Sequence, residues 1–320
     1  MSYNDQMTRS DLSELIPVPV QEEIVQGVAE DSAVLSLCRR LPNMTAGQQK
    51  MPVLASLPSA YFVAEPTTTG LAAGEVKPTS KVTWSYKTIQ AEEIAVILPI
   101  HKSVLADSNY DIWAEIKPKV VEAFGVLIDT AQIVGTSKPA SWPTALITNA
   151  NTAGNDIVLG SGGGDFADDI NLCMGKVEED GFEVRGFLAP IATKSKLRGL
   201  RTNDGAFIYV NDPKASTPDL IHGQPINFVR NGAFAVSDAH LVAGDFQQMV
   251  YSIRQDLQFD VLTEATIYDP ADNSVQYALA QQNMVALRCE MRLGIQLPNP
   301  INRMQSVEAN RYPFATITAS

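Results

Sequence analysis

The stretch from Asn43 to Lys81 limits the fold more than any other part of the chain. It holds Pro52, Pro58, Pro66 and Pro78, the run Thr67-Thr68-Thr69, and Gly70 and Gly74. Its apolar residues are scattered and do not recur at a helical period. Extended chain with two irregular strands is the expectation. Two strands alone in water are marginal, so they must either stay disordered or pack on something else. Tyr61, Phe62 and Val63 on one limb, and Val82, Trp84 and Tyr86 on the other, are too apolar for a solvated linker. A projecting hairpin that finds its partner on another chain is favoured, with Tyr61, Phe62, Val63, Lys77, Lys81 and Trp84 as candidate contacts.

The flanking sequence is ordinary globular material. The 320 residues are 45% apolar and 19% charged, enough for a sizeable core and roughly two domains at about 150 residues each. Ile16-Pro17-Val18-Pro19 predicts an extended arm. Val20, Ile24 and Val28 predict a short amphipathic helix behind it. Val82, Trp84 and Tyr86, then Ile94, Val96, Leu98 and Ile100, alternate as strands with one buried face. The strongest helix runs from Asp111 to about Val134, capped by Asn109 or Asp111 and closed by Gly135. It would be about 35 Å long at 1.5 Å per residue. Pro118 should kink or break it.

Residues 136–164 read as loop. Ile170, Cys173, Met174 and Val177 mark a second amphipathic helix, capped by Asp165 or Asp168 and stopped by Gly181. Strands are expected at Phe182–Leu188, Ala206–Val210 and Ile226–Val229, with a short helix at Pro190–Leu200. The last third alternates again, from Tyr251 to Val261 and from Val285 to Leu293, as long antiparallel strands that the 111–134 helix would cover.

Catalytic patterns are missing. His101, His222 and His240 are isolated, and Cys38, Cys173 and Cys289 show no ligand spacing, so neither a zinc site nor a disulfide scaffold is expected. There is no GxSxG and no GxxxxGK[ST]. Gly160-Ser-Gly-Gly-Gly164 precedes a helix but lacks a following lysine and reads as linker. Asp168-Asp169 and Glu178-Glu179-Asp180 read as solvated helix ends, not acid/base pairs. A net charge of −12 excludes a broad basic nucleic-acid footprint, and no apolar run is long enough to span a membrane. No cofactor and no metal are expected. A large core without catalytic residues, an arm and an unanchored hairpin together suit contact between subunits.

Several runs resemble one family in order and spacing. ILPIHKSVLADSNYDIWAEI (97–116) is similar to the strand, turn and spine-helix start of HK97-type major capsid proteins of tailed bacteriophages. LIDTAQIVGT (127–136) resembles their D-x-A-x-x-x-G helix exit. Gly223-Gln-Pro225, Ala243-Gly-Asp245-Phe246 and Val285-Ala-Leu-Arg288 resemble later landmarks.

The resemblance implies an α+β, HK97-like fold in four parts. Residues 1–45 would be the N-terminal arm and its helix, and residues 46–87 the extended loop over a neighbour. Residues 88–140 with 245–295 would be the peripheral domain, its spine helix on an antiparallel sheet. Residues 141–244 with 296–320 would be the axial α/β domain. It also implies a non-enzymatic homo-oligomer. Pentamers and hexamers would close an icosahedral head around double-stranded DNA, without sequence-specific DNA binding and without a membrane.

The implied setting is the virion capsid, with synthesis in the cytoplasm of the bacterial host. A portal and a decoration protein are implied companions. About 20 residues precede the first expected helix, which points to a separate scaffolding protein or none. Some relatives crosslink a loop lysine to a neighbour's asparagine. Lys77 and Lys81 lie in the corresponding loop, with Asn273 and Asn283 in the peripheral region, but no crosslink is expected. The acidity suits a shell wall that leaves DNA non-adhesive. Two other readings remain: an encapsulin-like compartment shell, and an α/β enzyme with an unrecognised site.

Overall fold

The computed structural model describes residues 32–60, 79–108, 111–161, 165–201, 220–269 and 271–319. The expected helix at 20–28, the expected strand at Ala206–Val210, and Tyr61, Phe62, Val63 and Lys77 lie outside them.

In chain order the elements begin with helix α1 (Ala33–Leu37), then β1 (Arg39–Arg40), β2 (Gln48–Leu54), β3 (Trp84–Gln90) and β4 (Glu92–His101). Helices α2 (Lys102–Asp107), α3 (Ile112–Ile133) and α4 (Leu146–Ala153) follow. Next come β5 (Asp156–Val158), α5 (Phe166–Glu179), β6 (Gly186–Pro190), α6 (Thr193–Gly199), β7 (Leu220–Ile221), β8 (Gln224–Val229) and β9 (Leu241–Gly244). The last third holds β10 (Val250–Leu262), β11 (Thr266–Tyr268), β12 (Val275–Ala278), β13 (Met284–Gln296) and β14 (Phe314–Thr318).

Helix α3 starts where Asp111 accepts hydrogen bonds from the Trp113 and Ala114 amides. It ends at Gly135, whose φ of +94° admits the left-handed turn and whose amide donates back to the Thr130 carbonyl. Pro118 does not break it. The ring removes one donor, and packing of Val120, Phe124, Ile128 and Ala131 carries the helix through.

That stripe lies on a four-stranded sheet ordered β1-β10-β13-β4. Its two longest strands, β10 and β13, are 13 residues each and pair antiparallel from Val250 opposite Gln296 to Leu262 opposite Ala286. Ile94, Leu287, Cys289 and Leu293 form the covered face. On the wet face Arg288 bonds Asp260 (2.7 Å) and Arg292 approaches Glu93 (3.9 Å).

A second sheet is ordered β5-β14-β9-β6-β8-β7. Strands β6, β9 and β14 are buried at nearly every position because both faces are covered. Phe187, Ala189, Leu241, Ala243 and Ile317 lie under α5 and α6. Leu188, Val242 and Phe314 face the other way and join the spine-helix core. One apolar core therefore runs from the first sheet into the second.

Three readings are corrected. Residues 146–153 are helix, not loop. LITNANTA has weak helix propensity, and burial of Leu146 and Ala150 overrides it. The strand expected at Phe182–Leu188 is Gly186–Pro190. The acid pairs are not simply solvated. Asp169 is buried and accepts from the Gly160 amide (2.8 Å), and Asp180 is buried and accepts from Asn155 Nδ2 (2.8 Å) and the Tyr312 amide (3.0 Å).

Candidate intersubunit surface

Strands β2 and β3 form an antiparallel hairpin in which Gln48 faces Gln90 and Leu54 faces Trp84. Its root is fixed. Ile89 and Ala91 are buried with Met44 and Val250, and Met51 packs against them. Gln296 on β13 donates to the Thr88 carbonyl (2.8 Å). Gly294 sits directly beneath, where a Cβ would lie 2.6 Å from the Gln90 carbonyl oxygen.

Two cations tie the hairpin to the segment before β14. Lys87 pairs with Glu308 (2.6 Å), and Arg303 donates to the Pro58 carbonyl (2.5 Å). The Lys87 hydrogen bond holds the Glu308 carboxyl below its ordinary range.

Outward from the root the hairpin has no apolar cover from the described residues. Trp84 and Tyr86 alternate onto one face with Pro52 and Leu54 and are 68% and 60% exposed. Lys50 lies over part of that face, its Nζ 4.4 Å from the Tyr86 ring centre. Lys81, on the approach to β3, is also exposed. Of the candidate contact residues, the structure therefore places Lys81 and Trp84 on the hairpin's exposed outer limb. Tyr268 and Val275, paired across the β11–β12 ribbon, are each 57% exposed, and so is Val261 near the end of β10, which the alternation places on the covered face. Asn273 and Asn283 hold turns at φ of +55° and +52°.

Nothing comparable to a catalytic centre accompanies these surfaces among the described residues. A cavity of about 560 Å³ beside the hairpin root is lined by Lys87, Asn149, Gln296, Glu308, Arg311 and Tyr312. Lys87 and Glu308 pair with each other there, and Arg311 donates to the carbonyls of Asn299, Gln305 and Ser306. Burial pushes the Cys173 thiol up to about 12, and it raises Cys38 and Cys289 as well, the reverse of an activated nucleophile. No three His, Cys, Asp or Glu residues among those described are grouped to hold a metal ion. No described helix is long and apolar enough to cross a membrane.

The motif residues acquire physical roles. Asp129 of the D-x-A-x-x-x-G run is wholly buried. It accepts from Ser32 Oγ (2.5 Å), the Ala33 and Val34 amides (2.9 and 3.1 Å) and Asn231 Nδ2 (2.8 Å). One carboxylate thus caps α1 and joins the spine helix to the loop after β8. Ala131 is buried in the core, and Gly135 makes the exit turn.

Known proteins match this arrangement along nearly its whole length. The model of the phage capsid family matches residues 13–303. The major capsid protein of Staphylococcus phage 80alpha is 26% identical over 282 residues, which cover 86% of this chain and 79% of that protein. A solved chain from Microbacterium phage Oxtober96 is 38% identical with a TM-score of 0.83, covering 99% of this chain and 100% of that one. One from Mycobacterium phage Cain is 30% identical with a TM-score of 0.83, covering 99% of each. With the spine helix, the two sheets and the rooted hairpin in place, the chain belongs to the phage capsid family, as a major capsid protein with the HK97-type α+β fold.

Proposed function

We propose that copies of this chain close as pentamers and hexamers into an icosahedral head around double-stranded DNA, made in the cytoplasm of a bacterial host. In this reading residues 1–45 are the arm and residues 46–87 reach over a neighbour. Residues 88–140 with 245–295 form the periphery, and residues 141–244 with 296–320 surround the capsomer axis. Scaffolding, portal and decoration proteins are the further partners it calls for.

The supporting observation is the hairpin. Its root is buried in its own subunit, while Trp84 and Tyr86 lie largely exposed on its outer face. Large exposed aromatics on a two-stranded ribbon gain stability when a second surface removes them from water. The net charge of −12 leaves the wall with little affinity for phosphate.

Electron microscopy of the purified full chain, with a nucleic-acid assay of any particles, tests the proposal. Shells in vitro, and heads containing DNA from infected cells, are expected. Shells filled with protein cargo would favour an encapsulin-like compartment. A monomer under every assembly condition would overturn the shell reading.

A further inference from the structure

The two ends of the six-stranded sheet carry opposite charge. On α5 the Asp169 carboxylate accepts from the Gly160 amide, just past β5, so that side of the helix faces the β5 edge. At about 100° per residue, Asp165, Asp168, Leu172 and Glu179 lie within about 100° of Asp169, away from buried Ile170 and Cys173. All four are exposed, Leu172 by 43%, and Val158 on β5 lies open beside them. Lys176, 3.7 Å from Glu179, is the one cation in α5.

At the other end, the α6 segment from Thr193 to Arg201 contains Lys194, Lys196, Arg198 and Arg201 and no acid. Lys196 turns inward to His240 (3.1 Å). Lys194 and Arg198, one turn apart, face the β8 side, where the Lys194 Nζ lies 4.9 Å from the Phe228 ring centre. Exposed Ile191 and Leu220 accompany them, and the Ile191 amide donates to the Val229 carbonyl at the end of β8. Among the described residues each end thus sets exposed apolar residues beside charge of predominantly one sign, with Lys176 the exception on the acidic side, a pattern that suits an interface with an apolar centre and a polar rim. The two ends do not meet in one molecule, since β14, β9 and β6 lie between them.

We propose that the acidic β5/α5 end of one copy docks on the basic α6/β8 end of the next, as the head-to-tail contact that closes capsomer rings. The partner is a second copy of this chain because both complementary faces are on the same molecule, and a contact between unlike faces repeats around a ring. The inference rests on the capsid reading above.

The test compares ring formation by four full-length chains, using native mass spectrometry and electron microscopy. They are wild type, Lys194→Glu/Arg198→Glu, Asp168→Lys/Glu179→Lys, and the chain with all four changes. Each two-residue reversal sets like charges against each other and is expected to lose its rings, and the fourfold variant to regain them. An equal mixture of the two reversals should close six-membered but not five-membered rings, because alternating subunits close only in even numbers.

The neutral variants Arg198→Gln and Asp168→Asn carry the same test if a reversal fails to fold. Each should raise the concentration needed for half-assembly by about tenfold. Reversed or neutral chains that form rings like wild type would overturn the head-to-tail contact alone. Wild type that forms no rings would overturn the capsid reading and this inference with it.

Discussion

Asp129 links three parts of the chain through one side chain. Removing it strands the first amides of α1, the Ser32 hydroxyl and the Asn231 amide, all partly or wholly out of water. Asp129→Ala is therefore expected to destabilise the unassembled subunit by about 3 kcal/mol, and to speed amide exchange at Ala33–Leu37. Denaturant unfolding and hydrogen exchange check this, and an unchanged midpoint would show that Asp129 holds nothing. Neighbouring acids show why such roles were hard to read in advance. Asp168 and Asp169 are adjacent in sequence, yet one is exposed and the other is buried against Gly160. Only the return of distant backbone, as at Tyr312 for Asp180, tells a structural carboxylate from a solvated one.

At the level of elements, the hairpin root behaves as a socket. Gly294→Ala places a methyl group against the Gln90 carbonyl and the Ile89 side chain, with backbone on one side and core on the other. A loss of about 2 kcal/mol is expected, with faster exchange across β2 and β3; exchange like wild type would rule out the close fit. The Lys87–Glu308 pair is a weaker, exposed tie. The Glu308 carboxyl is held below its ordinary 4.5, so the tie is complete above that pH and is lost as pH falls through the lowered value. Glu308→Gln should thus loosen the hairpin at pH 7, and the difference from wild type should close as pH falls through the lowered Glu308 value. A difference that persists in acid would assign the effect to packing.

Strongly periodic elements were legible in the sequence. The α3 stripe and the alternation of β4, β10 and β13 each bury one face, which leaves a period. Helix α4 and strand β14 were not. The first is polar and short, and the second is a five-residue strand whose neighbours, β5 and β9, come from far away in the chain. The hairpin's outer face was legible for the opposite reason, because Val82, Trp84 and Tyr86 are too apolar for a solvated linker.

In the whole molecule, one core spans both sheets while the hairpin stands outside it. That division assigns stability to the body and contact to the projections. The −12 charge disfavours adhesion both to DNA and between like subunits, so association must come from local patches that outweigh it. The hairpin face is the largest aromatic example among the described residues, and its burial by an adjoining copy is the central claim. Hydroxyl-radical footprinting of free subunits and of assembled shells measures it directly. Oxidation of Trp84 and Tyr86 is predicted to fall sharply on assembly, while equal labelling in the two states would contradict the claim.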